Sequence, residues 1–129
     1  MAKQLFNMKL FLYTLLLLVT LSCAETTKGE IELVTQEEME LLLKEDQVQL
    51  IDVRTLKEYN AGFIANAQNI DFFAEDFEVQ VSKLDKTKPV IVYCQKGGRS
   101  AKCAEKMKNL GFTKIYDLDG GYSKWTVSN

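Results

Sequence analysis

Short apolar runs alternate with amphipathic stretches along most of this chain. The runs are rich in β-branched residues and predict five strands, at residues 31–34, 48–53, 68–70, 90–93 and 114–118. Helical spacing predicts helices that begin at residue 35, that span residues 55–61, 72–84 and 100–110, and that form one last turn after residue 121. Strands that alternate with helices predict an α/β domain with a small, mostly parallel sheet flanked by helices.

Local signals set several of these boundaries. Thr35 and Glu38 have the spacing of a capping box, which predicts a helix start there. Gly62 is predicted to stop the second helix, and Gly111 to cap the fourth. We expect this domain to occupy residues 31–129, preceded by a polar linker at residues 25–30.

The first 24 residues differ from the rest. Lys3 and Lys9 lead into the apolar run 10–21, which ends in small residues, and this order is typical of an export signal. The run is shorter than the roughly 20 residues that a membrane-spanning helix needs. Residues 1–24 are therefore predicted to be a signal peptide.

Cys23 lies where this apolar run gives way to small residues, which resembles the lipid-attachment site of bacterial lipoproteins. Acylation of Cys23 would make it the mature N-terminus and anchor the domain in a membrane. The alternatives are ordinary cleavage after Ala24 and an uncleaved anchor. We expect an exported protein of the periplasm or cell envelope, held there by lipid on Cys23.

Composition excludes several kinds of chemistry. The chain has 129 residues and no histidine, which rules out a Ser-His-Asp triad, a Cys-His dyad and histidine-bound metals. Its formal net charge is −2, so it lacks the basic surface that nucleic acid requires. Only Cys94 and Cys103 lie in the predicted domain, and they are not spaced as a metal or redox pair. No metal or cofactor is expected.

One loop carries the chemistry. Cys94 ends the most apolar strand, and a helix follows shortly after it. The loop residues predicted to bind the substrate are Gln95, Lys96, Gly97, Gly98, Arg99 and Ser100. Paired glycines allow backbone N–H groups to form an anion-binding nest, and the lysine and arginine add positive charge. A free thiol has a pKa of about 8.5. A nearby helix start and positive side chains lower the pKa of a thiol to roughly 3.5–7.5.

Less reactive roles are open for both cysteines. Cys94 could be a small core residue, with the glycines serving only the turn. Cys103 lies on the apolar face of the following helix, which favours a place in the core over a role as resolving thiol for Cys94.

The chain resembles single-domain rhodaneses, a family of sulfurtransferases. Segments in the family's order carry the resemblance, at residues 52–54, 58–70, 92–100 and 118–121, followed by Trp125. Phe63 stands where the family has histidine and Asn66 where it has glycine, and neither departure touches the loop.

The resemblance implies that Cys94 takes a sulfane sulfur from a small anionic donor such as thiosulfate. The resulting persulfide would pass the sulfur to a thiol or to cyanide. Lys96 would meet the donor and Arg99 would hold the loop. Asp52, Arg54 and Glu58 would form a supporting polar network under the loop. Arg54 and Glu58 are also spaced as a solvent-exposed helical ion pair.

Other functions are weighed against sulfur transfer. Related phosphatases and arsenate reductases have Cys-x5-Arg, whereas this loop is Cys-x4-Arg, which disfavours oxyanion chemistry. The remaining alternative is a non-catalytic module that binds a partner or senses sulfide. Phe72, Phe73 and Phe77 could line an acceptor site, although their spacing favours the core. Nothing in the sequence indicates the oligomeric state.

Overall fold

The computed structural model describes residues 1, 3–5, 7–9 and 28–128, and its elements follow the predicted order. The strands are β1 (Glu30–Val34), β2 (Gln49–Asp52), β3 (Gln68–Asn69), β4 (Val90–Tyr93) and β5 (Lys114–Leu118). The helices are α1 (Gln36–Leu42), α2 (Leu56–Asn60), α3 (Phe77–Ser82), α4 (Gly98–Asn109) and α5 (Gly121–Ser128). The predicted α/β fold class is confirmed.

The strands form one parallel sheet in the order β1-β5-β4-β2-β3. β4 lies at its centre, with Asp52 of β2 opposite Tyr93 and Asp117 of β5 opposite Val92. Because all strands point the same way, their carboxyl ends meet at one edge, where sites form in such sheets. Cys94 follows β4 at that edge.

Helices cover both faces of the sheet. All of β4 is buried, and its side chains alternate between the two sides because successive residues of a strand point to opposite faces. Val90 and Val92 pack with residues of α3 and α4, whereas Ile91 and Tyr93 pack with Met39 of α1 and with residues of α2 and α5. This burial on both faces explains why β4 reads as a continuous apolar run.

Side-chain caps fix the starts of α1 and α2. The predicted box at Thr35 is confirmed, with its hydroxyl accepting from Glu38 N–H and the Glu38 carboxylate accepting from Thr35 N–H. Thr55 and Glu58 form the same arrangement at α2. Each box satisfies backbone donors that a helix start leaves free.

Three helices depart from their predicted boundaries. Helix α3 begins at Phe77 instead of residue 72, because the Asp71 carboxylate accepts from the N–H of Phe73 and holds a turn there. Helix α4 begins at Gly98, two residues early, because Gly97 completes the turn of the loop. Helix α5 continues to Ser128, past the single turn expected.

The predicted export signal is only partly described. Cys23 and residues 25–27 of the linker lie outside the described residues, so the lipid-attachment prediction stays a prediction. Among the residues that are described, no helix combines the length and the apolar character needed to span a membrane.

Candidate active site

The sulfur of Cys94 lies at the bottom of a turn of backbone N–H groups. The Cys94 side chain is buried, and its Sγ accepts a hydrogen bond from Gly97 N–H at 3.0 Å. The N–H groups of Lys96 and Ser100 also interact with it, and the Ser100 hydroxyl lies 3.5 Å away. The loop thus forms the predicted nest, with donors directed at the sulfur.

These contacts determine the acidity of the thiol. Burial alone would raise the pKa of Cys94, but the hydrogen bond with the Ser100 hydroxyl and those from the N–H groups of Ser100, Gly97 and Lys96 together outweigh it. The pKa is therefore lowered from its usual value, because the hydrogen bonds favour the anion. The start of α4 lies beside the sulfur and its dipole acts in the same direction.

Gly97 makes this turn possible. Its φ of 117° lies in the left-handed region, which a residue with a side chain adopts only with strain. Helix α4 begins immediately after it, which brings Ser100 back to the sulfur. Of the two adjacent glycines, only Gly97 has a positive φ.

Arg99 is held by an ion pair with Glu58. Its guanidinium donates to both carboxylate oxygens of Glu58, at 2.7 and 2.8 Å. The hydrogen bond from Arg99 is the main reason that the pKa of Glu58 falls to about 2. The alternative that Glu58 pairs with Arg54 along a helix is wrong, because Arg54 precedes α2 and turns inward.

Arg54 is buried and connects four parts of the site. Its guanidinium is 2.6 Å from the Asp52 carboxylate and donates to the carbonyl of Gly62 at 2.6 Å. It also donates to Gln95 Oε1 at 3.1 Å and lies 4.0 Å above the ring of Tyr122. Asp52 and Arg54 therefore form the polar support under the loop, and Glu58 supports it separately through Arg99.

Helix α5 packs against the other side of the loop. The carbonyl of Cys94 accepts from Tyr122 N–H at 2.8 Å, and that of Gln95 accepts from Ser123 N–H at 3.0 Å. The Gln95 side chain donates to Ser123 Oγ. The chain can approach this closely because residue 121 is glycine: a Cβ there would lie 2.5 Å from the Cys94 carbonyl oxygen.

A cavity of about 480 Å³ opens onto Cys94. Lys96, Arg99 and Lys102 give it positive charge, and Phe72 and Phe73 give it an apolar wall. Phe77 is buried in the core as favoured, but Phe73 is 69% exposed and forms an edge-to-face pair with Phe72. The core interpretation is therefore wrong for Phe73, because the turn at Asp71 replaces the helix that would have turned this side chain inward.

Cys103 has the environment of a core residue. It is fully buried on α4, and burial raises its pKa to about 12. A thiol in this state is protonated and a poor nucleophile at neutral pH. The prediction that Cys103 belongs to the core is confirmed.

Some residues of the site have no motif in the sequence that identifies them. Lys102 reaches the cavity because it lies on α4 one turn beyond Gly98. Tyr122 covers Arg54 only once α5 folds back on the loop.

The structure is thus an α/β domain with a thiol of lowered pKa at the carboxyl end of its central strand. Comparison with known proteins specifies the family. The model of the rhodanese-like domain matches residues 35–128. The chain belongs to the rhodanese-like domain family.

Relatives and solved structures agree with this assignment. The protein YqhL of Bacillus subtilis is 38% identical over 79 residues, which cover 61% of each chain. Thiosulfate sulfurtransferase GlpE of Coxiella burnetii is 37% identical over 84 residues, covering 65% of this chain and 77% of that protein. The human single-domain sulfurtransferase TSTD1 superimposes with a TM-score of 0.64 at 27% identity, covering 74% of this chain and 96% of that one.

The packing of α5 on the loop predicts a cost for Gly121→Ala. The new Cβ would overlap the Cys94 carbonyl and the residue has a φ of 57°, so we expect the free energy of unfolding to fall by about 1–3 kcal/mol. Denaturant unfolding measures this. Gly98→Ala is the matched control, because its Cβ would have no heavy atom within 4 Å, and it should not lower stability. Equal stability of Gly121→Ala and the wild type would contradict the described packing.

Proposed function

We propose that this protein is a sulfurtransferase that carries sulfane sulfur as a persulfide on Cys94. The thiolate attacks the outer sulfur of thiosulfate, the S–S bond of thiosulfate breaks, and sulfite leaves with the electron pair. An acceptor, cyanide or a thiolate, then attacks the terminal sulfur of the persulfide. The second S–S bond breaks and returns its electron pair to Cys94 as thiolate.

One observation carries this proposal: the N–H groups of the loop converge on the Cys94 sulfur and lower the pKa of its thiol. The same residue lines a cavity. The chain has no histidine, so in this proposal the hydrogen bonds, together with the dipole of α4, supply the activation of Cys94. The same N–H groups are placed to stabilise the negative charge of a persulfide. Relatives named thiosulfate sulfurtransferase support this reading at the level of the family.

The cavity suits an anionic donor. Arg99 is neutralised in large part by Glu58, so its role in the proposal is to hold the loop. Lys96 is exposed at the cavity wall and would attract the donor and assist the departure of sulfite. Phe72 and Phe73 supply the apolar surface against which an acceptor would lie.

The proposed location is the cell envelope, with lipid on Cys23. This proposal is supported by the charged and apolar pattern of residues 1–24 alone. A tether at Cys23 would restrict acceptors to those that the domain can reach from the membrane surface, because the polar linker between Cys23 and the domain is short.

Thiosulfate is expected to add one sulfur atom to the protein, and cyanide to remove it. Intact-mass measurement before and after each reagent tests this. Cys94→Ser should gain nothing, whereas Cys103→Ala should gain one sulfur like the wild type, because Cys103 is buried and protonated. No gain in the wild type, or an equal gain in Cys94→Ser, would refute the sulfurtransferase proposal and favour a binding module.

Lys96→Ala is expected to raise the KM for thiosulfate about fivefold, since a unit charge pair near water contributes about 1 kcal/mol. Its KM should also depend less on ionic strength. The control is Lys44→Ala, an exposed lysine outside the cavity, which should leave both properties unchanged. An unchanged KM for Lys96→Ala at low salt would show that this lysine does not meet the donor.

Expression in a bacterium with labelled fatty acid tests the location. The wild type should incorporate label and partition into detergent, and Cys23→Ser should lose both properties. Sulfur transfer by Cys23→Ser should be intact, because residue 23 precedes every element of the domain. A soluble product that begins at Glu25 would contradict lipidation without affecting the proposal for Cys94.

A further inference from the structure

Lys102 is a cation of the cavity that the sulfur-transfer steps do not use. It lies on α4, is exposed, and lines the same cavity as Cys94. In the part of the chain that the structure describes, its ammonium group has neither an ion pair nor a hydrogen bond. An exposed cation on a cavity wall that has no partner within the protein is available to a ligand.

The charge of the cavity belongs mainly to Lys96 and Lys102. Arg99 also lines the cavity, but its guanidinium donates to both carboxylate oxygens of Glu58, and the charge of Asp71 acts on it as well. Lys96 is like Lys102 in having no ion pair among the described residues. The cavity therefore attracts anions, and two separate cations can bind them.

These two lysines lie at different distances from the sulfur. Lys96 belongs to the turn whose N–H groups bind Cys94 Sγ. Lys102 lies four residues after Gly98, the first residue of α4, and four residues rise about 6 Å along a helix. Helical side chains lean toward the N-terminus of their helix, which turns the stem of Lys102 back toward the loop. An anion bound by Lys96 is therefore close to the reacting sulfur, whereas one bound by Lys102 is farther along the cavity.

Thiosulfate makes use of only part of this cavity. Its oxygens are two bonds from the sulfur that Cys94 takes, so they stay near the loop and Lys96. The cavity has a volume of about 480 Å³, and Phe72 and Phe73 line it with apolar surface that an inorganic anion does not bind. A ligand that fills the cavity would combine an apolar chain with an anionic end that reaches Lys102.

We propose that Lys102 determines acceptor specificity by binding the carboxylate of an organic thiol whose apolar chain lies against Phe72 and Phe73. This inference rests on the proposed sulfur transfer. The thiol first loses its proton to water, and its thiolate attacks the terminal sulfur of the persulfide. The S–S bond of the persulfide breaks, its electron pair returns to Cys94 as thiolate, and the acceptor leaves as an organic persulfide. A narrow ligand is favoured over the cysteine of another protein because Cys94 is only 1% exposed.

Two acceptors of matched shape test this role. Mercaptohexanoate and mercaptohexanol carry a thiol at one end of a six-carbon chain and a carboxylate or a hydroxyl at the other, so their thiols are of similar acidity. Cys94 is loaded with thiosulfate, and kcat/KM for each acceptor is measured at constant ionic strength. The wild type should prefer the carboxylate about fivefold, the effect of one charge pair near water, and Lys102→Gln should lose most of this preference.

Two further variants separate binding by Lys102 from a general effect on the site. Lys108→Gln removes a lysine from the same helix, where its side chain lies beside Gly29 and outside the cavity, and should keep the preference. Phe73→Ala should lower kcat/KM for both acceptors by a similar factor, because it removes apolar surface and no charge. Equal use of both acceptors by the wild type, or an unchanged preference in Lys102→Gln, would overturn the proposal and favour a protein cysteine as acceptor.

A second measurement requires no sulfur transfer. The symmetric disulfides of the same two thiols react with the Cys94 thiolate, and intact mass records the rate at which the mixed disulfide forms. The wild type should again react faster with the carboxylate than with the alcohol, and Lys102→Gln should not. If this preference is found while thiosulfate adds no sulfur, sulfur transfer fails and the binding site at Lys102 does not. Equal rates in the wild type would overturn the inference even if sulfur transfer is found.

Discussion

The hydrogen bonds that converge on Cys94 Sγ are the interaction on which the rest of the site depends. A buried thiol without a charged partner would be protonated and inert, as Cys103 is. Cys94 differs because the chain turns at Gly97 and begins α4 at once, which directs backbone N–H groups at one sulfur and brings the Ser100 hydroxyl beside it. Hydrogen bonding from the backbone therefore does the work that a histidine does in many cysteine enzymes. The same donors are available to a persulfide, so one arrangement serves both states of the proposed cycle.

A turn of this kind holds its shape only if its surroundings are rigid. Arg54 provides much of that rigidity, since it binds Asp52 at the end of β2, the carbonyl of Gly62 and the side chain of Gln95. Helix α5 holds the carbonyls of Cys94 and Gln95 from the other side. Buried ion pairs contribute little net stability in general, but they fix geometry when each hydrogen bond is satisfied. We interpret the Arg54 network as a means of keeping the donors in place while charge on the sulfur changes.

The sequence predicted the strand order along the chain, the burial of β4, the nest after Cys94 and the core position of Cys103. Each of these depends on local pattern, which a single sequence carries. It did not predict that Arg54 turns inward onto Asp52. It also did not predict that Glu58 pairs with Arg99, because that pairing depends on how α2 lies against the loop. The exposure of Phe73 was missed for a similar reason, since the turn at Asp71 has no apolar signal.

The most direct test of sulfur transfer through the loop is a crystal structure of the protein after treatment with thiosulfate. The account predicts a second sulfur atom bonded to Cys94 Sγ, with the terminal sulfur within hydrogen-bonding distance of the N–H groups of the loop. The backbone from Gln95 to Ser100 should keep the same turn with and without the added sulfur. An unmodified Cys94 after this treatment, or a persulfide that points away from the loop donors, would contradict the account.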